Sequence, residues 1–310
     1  MKHTLKITIA LAMFFFMAQV IGLLIINHYI DHTRTSETKS IEYRPLPYNL
    51  ERPEVKNQST SFIWITISIL AGTFLVLLLI KFNKPLIWKF WFFASVFFTL
   101  LIAFGAFMNI IIATALALIV ALLKLYKPNV IIQNFSEIFI YGGLAAFVIN
   151  IFNLFAAFML LIIISVYDFW AVFKTRHMVK MAQFQSKSNV FAGLFIPYEI
   201  GNRNKGKVPL TNPIKMQVKT PHQKSEPKKS VAVLGGGDIG FTLIFAGVVM
   251  KGLMIHEQVL FGFLKTLIIP VFATIALLVL LFRGEHNKFY PAMPILSAGC
   301  FLGYLVVLIL

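Results

Sequence analysis

The sequence predicts an all-α polytopic membrane protein, and three observations carry that prediction. The 310 residues are 58% hydrophobic and 13% charged, with 32 Phe, more apolar surface than one soluble core would bury. The apolar residues gather into runs of about twenty, the length of a bilayer crossing. The net charge of +16 lies mostly in one polar insertion and in short turns beside those runs, where a bilayer face accounts for it and nucleic acid is not needed.

Residues 5–27 form the first run, behind Lys2 and Lys6. It exceeds the apolar core of a signal peptide, and no small-x-small cleavage site follows His28, so it reads as a retained span. Residues 28–60 carry Pro45, Pro47 and Pro53 and balance five basic against five acidic side chains, which suits an extended surface loop. Residues 61–80 are the second span, closed by Lys81, Asn83, Lys84 and Pro85. The nearly uncharged stretch from Trp88 to Leu123 is too long for one crossing at about 1.5 Å per residue, so it is read as two spans turning near Gly105 and Asn109.

The fifth span covers 131–149 and the sixth 153–173, parted by Asn150 and Asn153. Glu137 lies early in the fifth, where it faces either the protein interior or, as its closeness to Gln133 and the polar end favours, the nearby interface. Residues 174–230 exchange aliphatics for Pro, Ser, Asn, Gln and Lys and read as a loop, flexible over much of its length. Apolar runs at 231–250, 258–282 and 290–310 bring the expected spans to nine. The chain thus divides into a six-span bundle at 1–173, a basic loop at 174–230 and a three-span part at 231–310. Cys300 stands alone, which excludes an intramolecular disulfide, and its apolar neighbours read it as a packed small hydrophobe.

Charge sets the orientation. The 174–230 segment holds twelve Lys or Arg against Glu199 and Glu226, so it is expected in the cytoplasm. Nine spans then place the amino terminus and the turns at 81–89, 124–127 and 283–288 on that same side, and each of these is basic.

Two carboxylates stand out against this background. Asp238 follows Gly235, Gly236 and Gly237 at the head of the seventh apolar run, and Asp168 follows Tyr167 at the end of the sixth. An aspartate at the centre of a span costs about 2.5–3.5 kcal/mol, so such residues pair and mark pathways or reaction centres. Counted from Phe173 and Val231, the two lie about 7–8 Å and about 10 Å inside the same face. At close range two carboxyls share a proton, leaving one to activate water and the other to protonate an oxyanion, the chemistry of aspartic proteases. The glycines cost about 1 kcal/mol each in a helix and let another backbone approach Asp238, while Gly236 and Gly240 also form a G-x-x-x-G packing pair. Tyr167 is placed either to donate a hydrogen bond to the site or to satisfy its own hydroxyl at the interface.

The combination Tyr167-Asp168, Gly235-x-Gly237-Asp238 and Pro291-Ala292-Met293-Pro294 resembles the presenilin and signal peptide peptidase family of intramembrane aspartyl proteases, most closely its archaeal members. The resemblance spans the whole nine-helix plan. It implies that Asp168 and Asp238 are the catalytic pair, supported by Tyr167, Gly235 and Gly237, with Pro291, Ala292 and Met293 as an active-site loop lying against them. The family's Pro-Ala-Leu reads Pro-Ala-Met here, a near-isosteric exchange that keeps the loop's shape and bears on substrate preference. Independently of the family, Pro291 and Pro294 free backbone groups at the cytoplasmic mouth. The basic loop matches the presenilin orientation and not the inverted one of signal peptide peptidases. The resemblance also implies spanning-helix substrates, a cell-membrane location and no cofactor, and nothing in the chain supplies the accessory subunits that presenilin requires.

Other classes lack their residues. His256-Glu257 is followed by Leu260 where a His-Glu-x-x-His zinc site needs histidine, and His28 and His32 have no third ligand, so no metal is expected. No apolar span offers a Ser and His pair. Two readings stay open beside the protease: a proton-coupled transporter or channel using the aspartates as a relay, and a prepilin-peptidase-like enzyme, against which the Tyr-Asp and Pro-Ala-Met context argues. A proteolytic site of this kind further predicts that the substrate helix unwinds locally, because helical hydrogen bonds shield the scissile carbonyl.

Overall fold

A computed structural model describes residues 5–82, 84–175, 192–199, 229–284 and 290–310. The reading of 174–230 as a flexible loop, and ten of its twelve basic residues, fall on 176–191 and 200–228, outside the described residues. The described residues are overwhelmingly helical. In order they form α1 (Leu5–Tyr29), α2 (His32–Thr38), α3 (Ser61–Lys81), α4 (Pro85–Gly105), α5 (Ile110–Tyr126), α6 (Val130–Val148) and α7 (Leu154–Trp170). Strands β1 (Gly193–Glu199) and β2 (Lys229–Gly235) follow, then α8 (Gly236–His256), α9 (Val259–Thr266), α10 (Ile268–Arg283) and α11 (Met293–Ile309).

Among the described residues seven helical stretches are long and apolar enough to cross a membrane: α1, α3, α4, α6, α7, α8 and α9–α10 together. Helices α5 and α11 are apolar but have 17 residues each, about 25 Å of rise against a hydrocarbon core of about 30 Å. Asparagines set many of the helix starts. The side chains of Asn109, Asn129 and Asn153 accept from Ile111, Ile131 and Ala156 N–H, satisfying donors that a helix N-terminus leaves unpaired. The expected turn between the third and fourth spans thus falls at 106–109.

Helix α8 occupies the middle of the bundle, against α1, α6, α7 and α11. Gln19, a polar residue inside α1, donates to the Ile239 carbonyl at 3.0 Å and to Thr242 Oγ1 at 2.7 Å, pinning α1 to the first turns of α8. Phe158 of α7 packs on Phe245 of α8 and on Phe301 and Tyr304 of α11, with ring centroids 4.9–5.3 Å apart. Aromatic contacts of this kind contribute about 0.5–1.5 kcal/mol each beyond burial, and here they lock together three helices. Cys300 is fully buried in the same core, free of any disulfide. Helix α3 differs: one face of it points outward, with Trp64, Ile67, Leu70 and Phe74 exposed, while Phe62, Ile65 and Ile69 pack against the core.

The backbone departs from the sequence reading in three places. Residues 28–60 are not simply an extended surface loop. The Ile30–Tyr43 bridge folds the segment back, Leu46 is buried, Pro47 packs at Gly105, and Arg52 lies over the Tyr29 and Tyr43 rings at 5.7 and 5.1 Å. Burial in this cap pushes the Tyr43 phenol upward and the Arg52 guanidinium downward from their usual ranges. Residues 193–199 are a strand within the stretch read as loop, paired antiparallel with β2 in the register Phe195–Val233. The run read as a seventh span from 231 therefore opens as strand, and its helix starts only at Gly236.

Candidate active site

The late start of α8 moves Asp238. It is the third residue of the helix, about 3 Å of rise from its beginning, not about 10 Å inside as the count from Val231 implied. Asp168 sits correspondingly two residues before the α-helical end of α7, which continues as a π-helical turn over Ala171–Thr175. Both carboxyls therefore belong to helix ends. Asp168 is buried, Asp238 is half-buried, and the two lie within electrostatic reach of one another.

Backbone donors hold each aspartate. Asp168 Oδ2 accepts from Met293 N–H at 3.1 Å, and the Ala292 N–H also donates to this carboxyl. Ala292 is the N-cap and Met293 the first residue of α11, so both donors are ones the helix itself leaves unpaired, and they point the positive end of its dipole at the carboxylate. Pro294, next in line, has no N–H to leave unsatisfied. The Pro-Ala-Met segment is thus in direct contact with Asp168, and the Met293 side chain is buried beneath it. A hydrogen bond of 2.8 Å between Ser165 and Ser297 ties α7 to α11 one turn away.

Asp238 curls back on its own N-terminus. Gly235, at once the last residue of β2 and the N-cap of α8, donates its N–H to the Asp238 carboxyl. A Cβ on Gly235 would stand 3.2 Å from Asp238 Oδ2, tighter than ordinary packing, so this glycine keeps room for the carboxyl. Gly237 is exposed and a Cβ there would meet only the Phe241 ring, at 3.4 Å, so packing does not demand glycine at that position. Tyr167 is half-buried next to Asp168; neighbours in a helix point about 100° apart, so it faces a different sector.

Several site residues were not singled out from sequence. Asn134 of α6 binds Phe195 through both backbone groups, at 2.9 and 3.0 Å, and Gln133 donates to the Gly193 carbonyl at 3.0 Å. These bonds leave from the side of β1 opposite β2, so α6 holds the outer edge of the ribbon. Glu137 does not reach the interface, as the sequence had suggested. It is 1% exposed and paired with Lys124 at 2.5 Å, because a charge at that depth is cheaper with a partner than alone. Among the described residues no three of His, Cys, Asp and Glu cluster as metal ligands would.

Comparison with known proteins identifies the family and the fold. The family model described as signal-peptide peptidase, presenilin aspartyl protease matches residues 47–310. Two solved structures, each described as a presenilin family intramembrane aspartate protease, one in a P2 and one in a C222 space group, share the fold. The first is 19% identical with a TM-score of 0.58, covering 97% of this chain and 96% of its own. The second is 18% identical with a TM-score of 0.59, covering 97% and 98%. No curated protein matches the chain. With a helical bundle of membrane-crossing length and a family match over most of its residues, this integral membrane protein belongs to the signal-peptide peptidase and presenilin family of aspartyl proteases.

Proposed function

We propose that the protein is an intramembrane aspartic endopeptidase of the Gly-x-Gly-Asp type, with Asp168 and Asp238 as its catalytic pair. The observation that carries this reading is the meeting of two carboxyls from α7 and α8 within electrostatic reach, one buried under the backbone donors of Ala292 and Met293 and the other half-open beside Gly237. With one proton shared by the pair, the ionised carboxylate takes a proton from water as the water oxygen bonds to the scissile carbonyl carbon. The protonated carboxyl gives its proton to the carbonyl oxygen, forming a gem-diol. Collapse of the gem-diol breaks the C–N bond and passes a proton to the leaving nitrogen. The two pH limbs of such a reaction belong to the pair and not to either residue.

The substrate on this reading is a membrane-spanning helix or signal peptide that opens locally. Ribbon geometry supports an extended guest. Gly193 and Phe195 direct their polar groups away from β2, so their partners Gly235 and Val233 direct theirs away from β1. Pro197 falls in the same alternation, where its missing N–H costs no rung. The outer edge of β2 therefore shares its side with the Gly235 N–H that meets Asp238, and an extended segment pairing there is led to the carboxyls. Nine crossings, with α5 and α11 included, put the amino terminus and the 174–230 segment in the cytoplasm of a cell membrane.

The deciding measurement is cleavage of a single-span peptide by detergent-purified protein and by Asp168→Asn and Asp238→Asn. Each variant is expected to lose cutting, by more than about a thousandfold, while melting no lower than the parent, since the exchange removes a buried charge and keeps the shape. Robust cutting by either refutes the two-aspartate mechanism. A transporter would show proton-coupled flux and no proteolysis in the parent.

A further inference from the structure

Behind Asp238 lies a buried polar cluster that the reaction itself does not use. Glu137 of α6 accepts from Lys124 Nζ at 2.5 Å, from Gln133 Nε2 at 2.9 Å and from the Tyr141 hydroxyl, while Lys124 also donates to Ser136 Oγ at 2.8 Å. Lys124, Glu137 and Tyr141 are 3%, 1% and 5% exposed. An ion pair at such depth holds two helices no better than packed aliphatics would, because desolvation offsets its attraction. The cluster does something aliphatics would not: it draws the Tyr141 hydroxyl to one place and so fixes the ring.

That ring rests on α8. A Cβ added to Gly236 would collide with the Tyr141 hydroxyl oxygen and stand 2.9 Å from ring carbons Cε1 and Cζ, and one added to Gly240 would stand 3.6 Å from Cδ1. Gly236 and Gly240 share a helix face, and Asp238, two residues beyond the first, points about 200° from it. The G-x-x-x-G pair is therefore the seat of a side chain from α6, and the Asp238 side chain leaves from the other side of the same turn, its carboxyl still within electrostatic reach of the Tyr141 hydroxyl.

We infer that Tyr141, held by the buried Lys124–Glu137 pair, is a positioning residue that backs the first turn of α8 and so sets Asp238 against Asp168. This rests on the reading of Asp238 as a reacting group. It does not touch the substrate, and its effect is on the rate of the bound complex.

The test is a double-mutant cycle on the full-length protein in detergent, with a single-span peptide as substrate and the thermal midpoint read on the same samples. Tyr141→Phe is expected to lower kcat by about tenfold with KM unchanged, the size of coupling typical of residues in contact. Gly236→Ala is expected to lower kcat about tenfold more in the parent than in the Tyr141→Phe background, since there the hydroxyl is gone and the ring, no longer tethered to Glu137, is free to give way. The midpoints should be non-additive in the same direction. Equal losses from Gly236→Ala in both backgrounds, in rate and in midpoint, or a Tyr141→Phe effect confined to KM, overturn the inference. A parent that cuts nothing refutes the proteolytic reading instead, and the seat then stands or falls on whether the midpoints are additive.

Discussion

Helix α8 carries an ionisable group shielded from solvent near each end, and the two are treated in opposite ways. Lys251, toward its C-terminal end, is 8% exposed and satisfied by fixed acceptors: the Ile149 carbonyl at 2.9 Å, the Phe152 carbonyl and the Tyr43 hydroxyl at 3.5 Å. Its ammonium closes the turn that ends α6, and rigid side chains surround it. Asp238, at the other end, has a glycine donor behind it, an exposed glycine before it and another carboxyl within reach. The lesson is that burial of a charge does not by itself mark chemistry. A cation whose donors go to two backbone carbonyls and a tyrosine hydroxyl is part of the scaffold, whereas a carboxylate left partly open beside its like is the one proposed to react.

The largest effect that bears on this contrast is at the open end, where Asp238→Asn should abolish cutting and leave the melting temperature the same or higher. Lys251→Met should do the reverse. It strips a donor from the Phe152 carbonyl and one of two donors from the Ile149 carbonyl, which keeps the Phe152 N–H. An unpaired buried carbonyl costs about 1–3 kcal/mol, so the midpoint should fall by a few degrees while the rate per folded molecule stays at the parent value. Loss of cutting in a well-folded Lys251→Met protein would erase the distinction between the two ends.

A smaller effect is expected from the substrate. Glycine or proline placed near the cut should speed cleavage several-fold and a run of alanine or leucine should slow it, because unwinding costs about 1 kcal/mol less per glycine than per alanine. Equal rates across that series would remove the unwinding step. Finally, labelling reads the sides on which the two ends lie without changing the rate at all. Cysteines introduced by Ser186→Cys or Ser225→Cys should react only from the cytoplasmic face and one introduced by Ser59→Cys only from outside, whereas labelling of both sets from one face would overturn the proposed orientation.

Much of the fold is legible in the residues because bilayer crossings advertise themselves. Apolar runs, lysine-rich turns and the asparagines at 109 and 153 mark helix ends with local chemistry alone. The two aspartates are legible for a related reason, since each is an anomaly in its run. The ribbon is not. Leu194–Ile196 is a short apolar stretch, and its partner lies more than thirty residues away across a polar insertion, so pairing leaves no periodic trace. Distance from a polar end is a poor guide to Glu137, whose partner is thirteen positions back on the preceding helix and meets it only once the α5–α6 hairpin closes. Tyr141 and Gln19 look like ordinary residues of apolar spans, and their roles exist only in contacts between helices.

Gly235 ends a strand and caps a helix in one residue, so the ribbon and the carboxyl it steers have no slack between them. Order on one side of that joint is order on the other, and thermodynamic linkage makes the influence reciprocal. A guest that stiffens β2 lowers the entropy cost of poising Asp238, and a molecule gripping the aspartates must in turn slow hydrogen exchange along Ala232–Leu234. On the proposed mechanism affinity and rate are then drawn from a single store of conformational freedom, which leaves a weakly held segment little chance of being cut by accident.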